Sequence, residues 1–151
     1  MTLWRISNHA DLAGTGGLLG AARWHSQGRP IVYLATSPAS ALLEILVHLE
    51  LDSPRALPKA YQLLQIDVPP QVSRLDLDPS ILTDDWDRQA LLTRRIGDRW
   101  LRDHASALLH VPSAIVPHTH NVLFNPLHPD ARGCRVVASA RYPFDPRLFR
   151  S

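Results

Sequence analysis

Thirteen prolines divide this chain of 151 residues into short segments. Proline lacks the backbone donor that helices and sheet ladders use, and its ring clashes with the preceding helical turn. Regular elements must therefore be brief and sit between prolines. Leu3–Ser7 reads as a first strand. Asn8–Gly20, rich in Gly and Ala, reads as a loop. Ile31–Ala35 is a β-branched and aromatic run that fits a buried strand. Ser37 is a good N-cap and Pro38 suits the first helical position, so a helix is expected from there to about Glu50. Leu51–Pro58 reads as a loop.

Ala60–Val68 alternates as a strand does, with Tyr61, Leu63 and Gln65 on one side and Leu64, Ile66 and Val68 on the other. Pro69-Pro70 ends it. A turn or short helix is expected within Pro79–Trp86. Gln89–His104 is an amphipathic helix with Leu92, Ile96, Trp100 and Leu101 at helical spacing. Leu108–Val116 reads as a strand interrupted by Pro112, and Val122–Phe124 and Arg135–Ala140 as further strands. The order of elements implies an α+β fold, one compact domain over residues 1–151 with a mixed or antiparallel sheet. No linker or internal repeat divides it.

The composition, 45% hydrophobic and 20% charged, excludes a disordered chain. No apolar stretch reaches the ~20 residues of a membrane span. The start, Met1-Thr2-Leu3-Trp4-Arg5, lacks the features of a secretory signal, so a cytoplasmic protein with no membrane partner is expected. Cys134 is the single cysteine, which excludes an intrachain disulfide and a CxxC zinc site. Lys59 is the only lysine among 16 basic residues. Arginine suits bidentate contacts with phosphate or carboxylate, and a GC-rich genome gives the same bias. A net charge of +2 without a basic cluster argues against nucleic-acid binding by this chain alone.

Glu44 is the most informative residue, because it interrupts the apolar segment Ala41-Leu-Leu-Glu-Ile-Leu-Val-His-Leu49. His48 falls one helical turn later on the same side, and Leu42, Ile45, Leu46 and Leu49 face inward. This stripe is either solvated or the wall of a cleft. Gly14-Thr-Gly-Gly17 is only a weak match to a phosphate loop and reads better as a flexible turn. In Arg23-Trp24-His25, Arg23 is either a surface residue or a phosphate clamp, and Trp24 fits the core. His118 and His120 would point the same way on a strand, with His110 and His128 flanking them, but no carboxylate accompanies them and no metal is expected. Ser113 has no nucleophile elbow around it. Asn121 and Asn125-Pro126 suit turns.

Taken in order, several segments resemble one known family. These are Leu3-Trp-Arg-Ile6, Gly16-Gly17, Ala22-Arg-Trp24, Ile31-Val-Tyr-Leu-Ala35, Ser37-Pro-Ala39 and Ala41–His48. Ile96-Gly-Asp-Arg-Trp100, Val111-Pro-Ser-Ala114, Asn121, Asn125-Pro126 with His128, and Phe144-Asp-Pro-Arg-Leu148 follow. The chain resembles the RES-domain toxins, including the ParT-like group, of bacterial type II toxin–antitoxin pairs. The Arg, Glu and Ser of the family name map to Arg23, Glu44 and Ser113.

The resemblance implies an ADP-ribosyltransferase-like fold with NAD as substrate and no metal. Glu44 would stabilise the charge that develops when the nicotinamide–ribose bond breaks. Arg23 would fix phosphates or ribose, with Arg5 as a second phosphate contact. Tyr33 would stack on nicotinamide, Ser113 would orient Glu44 or bind substrate, and Asn121 would join the binding set. The acceptor would be water, phosphate or a host protein such as phosphoribosyl pyrophosphate synthetase. A Xre-like antitoxin would block the active site. His25 stands where members often have Asn, and His120 where they commonly have Glu. The competing readings are a non-catalytic protein-binding module and an RNA-cleaving toxin.

Overall fold

A computed structural model describes residues 1–49 and 60–149. Its strands are β1 (Thr2–Ser7), β2 (Val32–Ala35), β3 (Gln62–Asp67), β4 (Arg74–Asp76), β5 (Leu108–Pro112), β6 (His120–Phe124) and β7 (Arg135–Arg141). They form one sheet in the order β4-β5-β6-β2-β1-β3-β7. β4 pairs with β5 in parallel and every other pair is antiparallel, so of the mixed or antiparallel sheet expected the mixed form is present. The helices are α1 (Thr15–Leu19), α2 (Pro38–His48) and α3 (Ala90–Arg102).

The period-2 pattern of the strands sorts the side chains onto two faces. Leu3, Val32, Leu34, Leu64, Ile66, Leu108, Val122 and Phe124 build a core on one face. Each fully buried residue such as Leu64 contributes about 2 kcal/mol of transfer free energy. Register places the other set together: Trp4 opposes Ala35, Ala35 opposes Asn121, Tyr33 opposes Leu123, and Asn121 opposes Val111. Two helices cover this second face. α3 brings Trp100 and Leu101 against Leu109, Val111 and Leu123. α2 brings Ala41, with Leu42, Ile45 and Leu46, against Ile6 and Ala35. The cleft described below lies beside α2.

α2 begins as its sequence requires. The Ser37 hydroxyl accepts the Ser40 amide at 3.1 Å and Pro38 occupies the first turn, a cap worth about 1 kcal/mol. The helix ends at His48; the expected extension to Glu50 and the loop Leu51–Pro58 lie outside the described residues. In β3, Leu64 and Ile66, followed by Val68, are fully buried, as the alternation predicts.

Three expectations need correction, and one strand was not expected. The Asn8–Gly20 loop contains α1, in which Gly17 is explained by packing rather than propensity: a Cβ there would lie 2.1 Å from the Arg29 carbonyl oxygen. The strand at Leu108 stops at Pro112 instead of reaching Val116. β4 carries no strand signal, because its three residues are exposed and held by pairing with β5. His118 lies in a turn at φ 60°, so it does not share a strand face with His120.

Candidate functional site

The cleft between α2 and the sheet has a volume of about 500 Å³. Arg5, Arg23, Tyr33, Glu44 and Asn121 all line it, from β1, the 22–26 segment, β2, α2 and β6. The apolar face of α2 packs on the sheet, so Glu44, one position off that face, stands at the cleft wall. Two donors reach it. Ser113 Oγ donates to Glu44 Oε1 at 3.0 Å, and Asn121 Nδ2 donates to the same oxygen at 2.7 Å. Among the described residues Oε2 receives no donor, which leaves one oxygen anchored and the other available to a ligand.

Ser113, immediately after β5, is itself fixed. Its hydroxyl oxygen accepts the Ile115 and Val116 amides at 3.1 and 3.2 Å. Both lone pairs are used, so the hydroxyl proton is committed to Glu44. The geometry therefore favours the orienting role for Ser113. Asn121 is 8% exposed, and its Oδ1 is buried with no partner among the described residues. Its amide serves Glu44, so Asn121 also acts through that carboxylate.

Arg23 also lines the cleft. Its Nη1 donates to the Asp87 carbonyl oxygen at 2.6 Å, and its guanidinium carbon lies 5.9 Å from the centre of the Trp86 ring. Among the described residues the remaining donors of the fork have no partner, so they can meet an anion. Arg5 donates to the Asp11 carbonyl oxygen at 3.0 Å; burial lowers its pKa, and Asp11 and Tyr61 oppose this. Trp24 is a core residue, 2% exposed.

Helix α3 fixes the segment that carries Arg23. Thr93 Oγ1 donates to the Arg23 carbonyl oxygen at 2.6 Å, and Arg94 Nε to that of Ala22 at 2.8 Å. Asp98 accepts the Ser26 amide at 2.9 Å and its hydroxyl at 2.6 Å, and pairs with Arg29 at 3.1 Å. Between these contacts Gly97 lets the helix meet the chain, since a Cβ there would lie 1.8 Å from the Trp24 carbonyl oxygen. Sequence reasoning found the helix but missed this function; the adjacent Thr93-Arg94 and Gly97-Asp98, one turn apart, were the available signal.

Two histidines singled out in the sequence part company. His25 is 3% exposed and lines the cleft. His120 is exposed at the start of β6 and away from the cleft lining. Among the described residues no group of three or more His, Cys, Asp or Glu side chains could hold a metal ion, and no helix is long and apolar enough to cross a membrane.

Known proteins share this arrangement of sequence and fold. The chain is 51% identical to Toxin Res of Pseudomonas putida, covering 99% of this chain and 100% of that protein. It is 37% identical to the Prs ADP-ribosylating toxin of Sphingobium sp., covering 99% and 97% respectively. The fold matches a chain in the crystal structure of the M. tuberculosis MbcT-MbcA toxin-antitoxin complex with a TM-score of 0.67, at 21% identity, over 97% of this chain and 85% of that one. Residues 2–145 match the RES domain, and with relatives this similar along their full length, the chain belongs to the RES domain family.

Proposed function

We propose that this protein is the toxin of a toxin–antitoxin pair and that it consumes NAD by cleaving the nicotinamide–ribose bond at Glu44. The observation that carries this reading is the Glu44 carboxylate, anchored through Oε1 alone at the wall of a cleft that also displays Arg5, Arg23 and Tyr33. The family membership and the naming of one relative as an ADP-ribosylating toxin support it.

The chemistry needs few groups. When the bond breaks, nicotinamide keeps the electron pair and leaves neutral, while the ribose carbon acquires oxocarbenium character. A carboxylate fixed beside that ribose stabilises the developing positive charge and can accept a hydrogen bond from a ribose hydroxyl. Ser113 and Asn121 keep Glu44 from swinging away, so little reorganisation accompanies the step. Arg23, with Arg5 as a second contact, would hold the diphosphate by charge-assisted bonds. The acceptor of the ADP-ribosyl group is water, phosphate or a host protein. A Xre-like antitoxin is the partner that would cover this cleft and silence it.

NAD turnover by the purified protein, compared with Glu44→Ala, tests the reading. Wild type should consume NAD, and the variant should lose about 10²–10³-fold while remaining folded. A folded variant that consumes NAD at the wild-type rate would remove Glu44 from the mechanism. If neither protein consumes NAD or modifies host protein, a binding module becomes the better reading. Mass spectrometry of products separates free ADP-ribose and its phosphate from an adduct on protein.

A further inference from the structure

Tyr33 lines the cleft from β2, yet its hydroxyl is engaged with the protein wall. It accepts the Trp24 amide at 3.1 Å and lies 2.9 Å from His25 Nδ1. His25 Nε2 lies 2.9 Å from the Gly20 carbonyl oxygen. A carbonyl oxygen only accepts, so Nε2 carries the ring proton. In a neutral imidazole Nδ1 is then a bare acceptor, and the Tyr33 hydroxyl must donate to it. Burial keeps both groups in these forms, lowering the His25 pKa and raising that of Tyr33. The hydrogen bonds thus run in one direction, from Trp24 N–H through the Tyr33 hydroxyl to His25, and from His25 to the residue that closes α1.

We propose that His25 is a positioning residue: it holds the hydroxyl of Tyr33 against the wall, so that Tyr33 meets substrate with the face of a fixed ring and not with its O–H. The tilted packing of the two rings, with centroids 5.7 Å apart, adds to this constraint. The group that such a wall receives is a planar aromatic ring. In this respect the proposal rests on the reading of the cleft as a site for NAD, whose nicotinamide is a ring of that kind.

Three variants dissect the arrangement. In His25→Asn the side-chain carbonyl takes the place of Nδ1 and retains the acceptor for Tyr33. In His25→Gln the amide reaches the place of Nε2 and retains the donor to Gly20, but loses that acceptor. Tyr33→Phe removes the hydroxyl itself. His25→Gln and Tyr33→Phe should each raise the KM for NAD about tenfold, the worth of one buried hydrogen bond, with kcat within about threefold of wild type. His25→Asn should recover most of what His25→Gln loses, and combining His25→Gln with Tyr33→Phe should add nothing. A fall of about 100-fold in kcat for Tyr33→Phe with KM unchanged would place the O–H in the chemistry and overturn the proposal. So would multiplying effects in the double variant.

Ring ¹⁵N NMR of His25 supplies a readout independent of turnover. The expected state is the Nε2–H tautomer at neutral pH, with an Nδ1 resonance that moves in Tyr33→Phe. An Nδ1–H tautomer, or an imidazolium at neutral pH, overturns the positioning role whatever the cleft binds. The expected tautomer in a protein that leaves NAD intact supports the Tyr33–His25 arrangement and overturns the NAD reading instead.

Discussion

Helices α2 and α3 serve the same cleft in opposite ways. α2 enters it directly: its own Glu44 forms the wall, while Leu43 and Val47 remain 42% and 58% exposed. α3 contributes no side chain to the cleft lining among the described residues. Instead its Thr93, Arg94, Gly97 and Asp98 grip the 22–26 segment, which presents Arg23 and His25. The delivering helix depends on one functional group, whereas the holding helix depends on closeness of approach. Chemistry should therefore fail first on α2 and folding first on α3.

The largest stability effect is expected from Gly97→Ala. Intrinsic propensity favours alanine in a helix by up to ~1 kcal/mol. Here the added methyl would meet backbone atoms of Trp24 at 1.8 and 2.8 Å, and backbone cannot rotate aside. A loss of about 3 kcal/mol is expected by thermal or urea unfolding, with NAD turnover falling as the segment shifts. A stabilised Gly97→Ala protein would break the contrast between the helices.

A smaller effect concerns acid. Burial lowers the His25 pKa, with Gly20 and Asp98 opposing the shift and Arg94 adding to it. The unfolded chain therefore binds a proton more readily than the folded one. Stability from this residue is complete above about pH 6.5 and declines as the pH falls toward the depressed folded value. Unfolding across that window should show the decline in wild type and a flatter profile in His25→Asn. The smallest effect belongs to the outer side of α2. Leu43→Gln should change stability by no more than about 0.5 kcal/mol in the same unfolding experiment, less than one methyl group on the inner side of α3.

Legibility in the sequence followed the range of the forces involved. The start of α2 was readable because Ser37 and Pro38 act on their own neighbours. The faces of β3 were readable from alternation. β4 was not, since three exposed residues become a strand only through a partner more than thirty positions away. Glu44 stood out because a carboxylate among apolar residues needs a reason. That Ser113 and Asn121 share its Oε1 is a tertiary fact. The roles of Arg23 and Tyr33 came from resemblance, and the structure adds that both line one cleft with Glu44. The packing role of Gly97 was not legible within its helix, because the carbonyl it accommodates belongs to Trp24.

The span of the bonds to Glu44 also bears on how the protein is made. Glu44 and its Asn121 donor lie 77 positions apart, and Glu44 and Ser113 lie 69 apart. At ~5–20 residues per second, a ribosome takes about 4–15 s to travel from the carboxylate to its second donor. Throughout that interval Arg5, Arg23 and Tyr33 have all been synthesised, but β6 has not closed against β2. A nascent chain therefore carries every proposed substrate-contacting group long before it carries the donors that fix Glu44, and a product released ahead of Asn121 is an unassembled one.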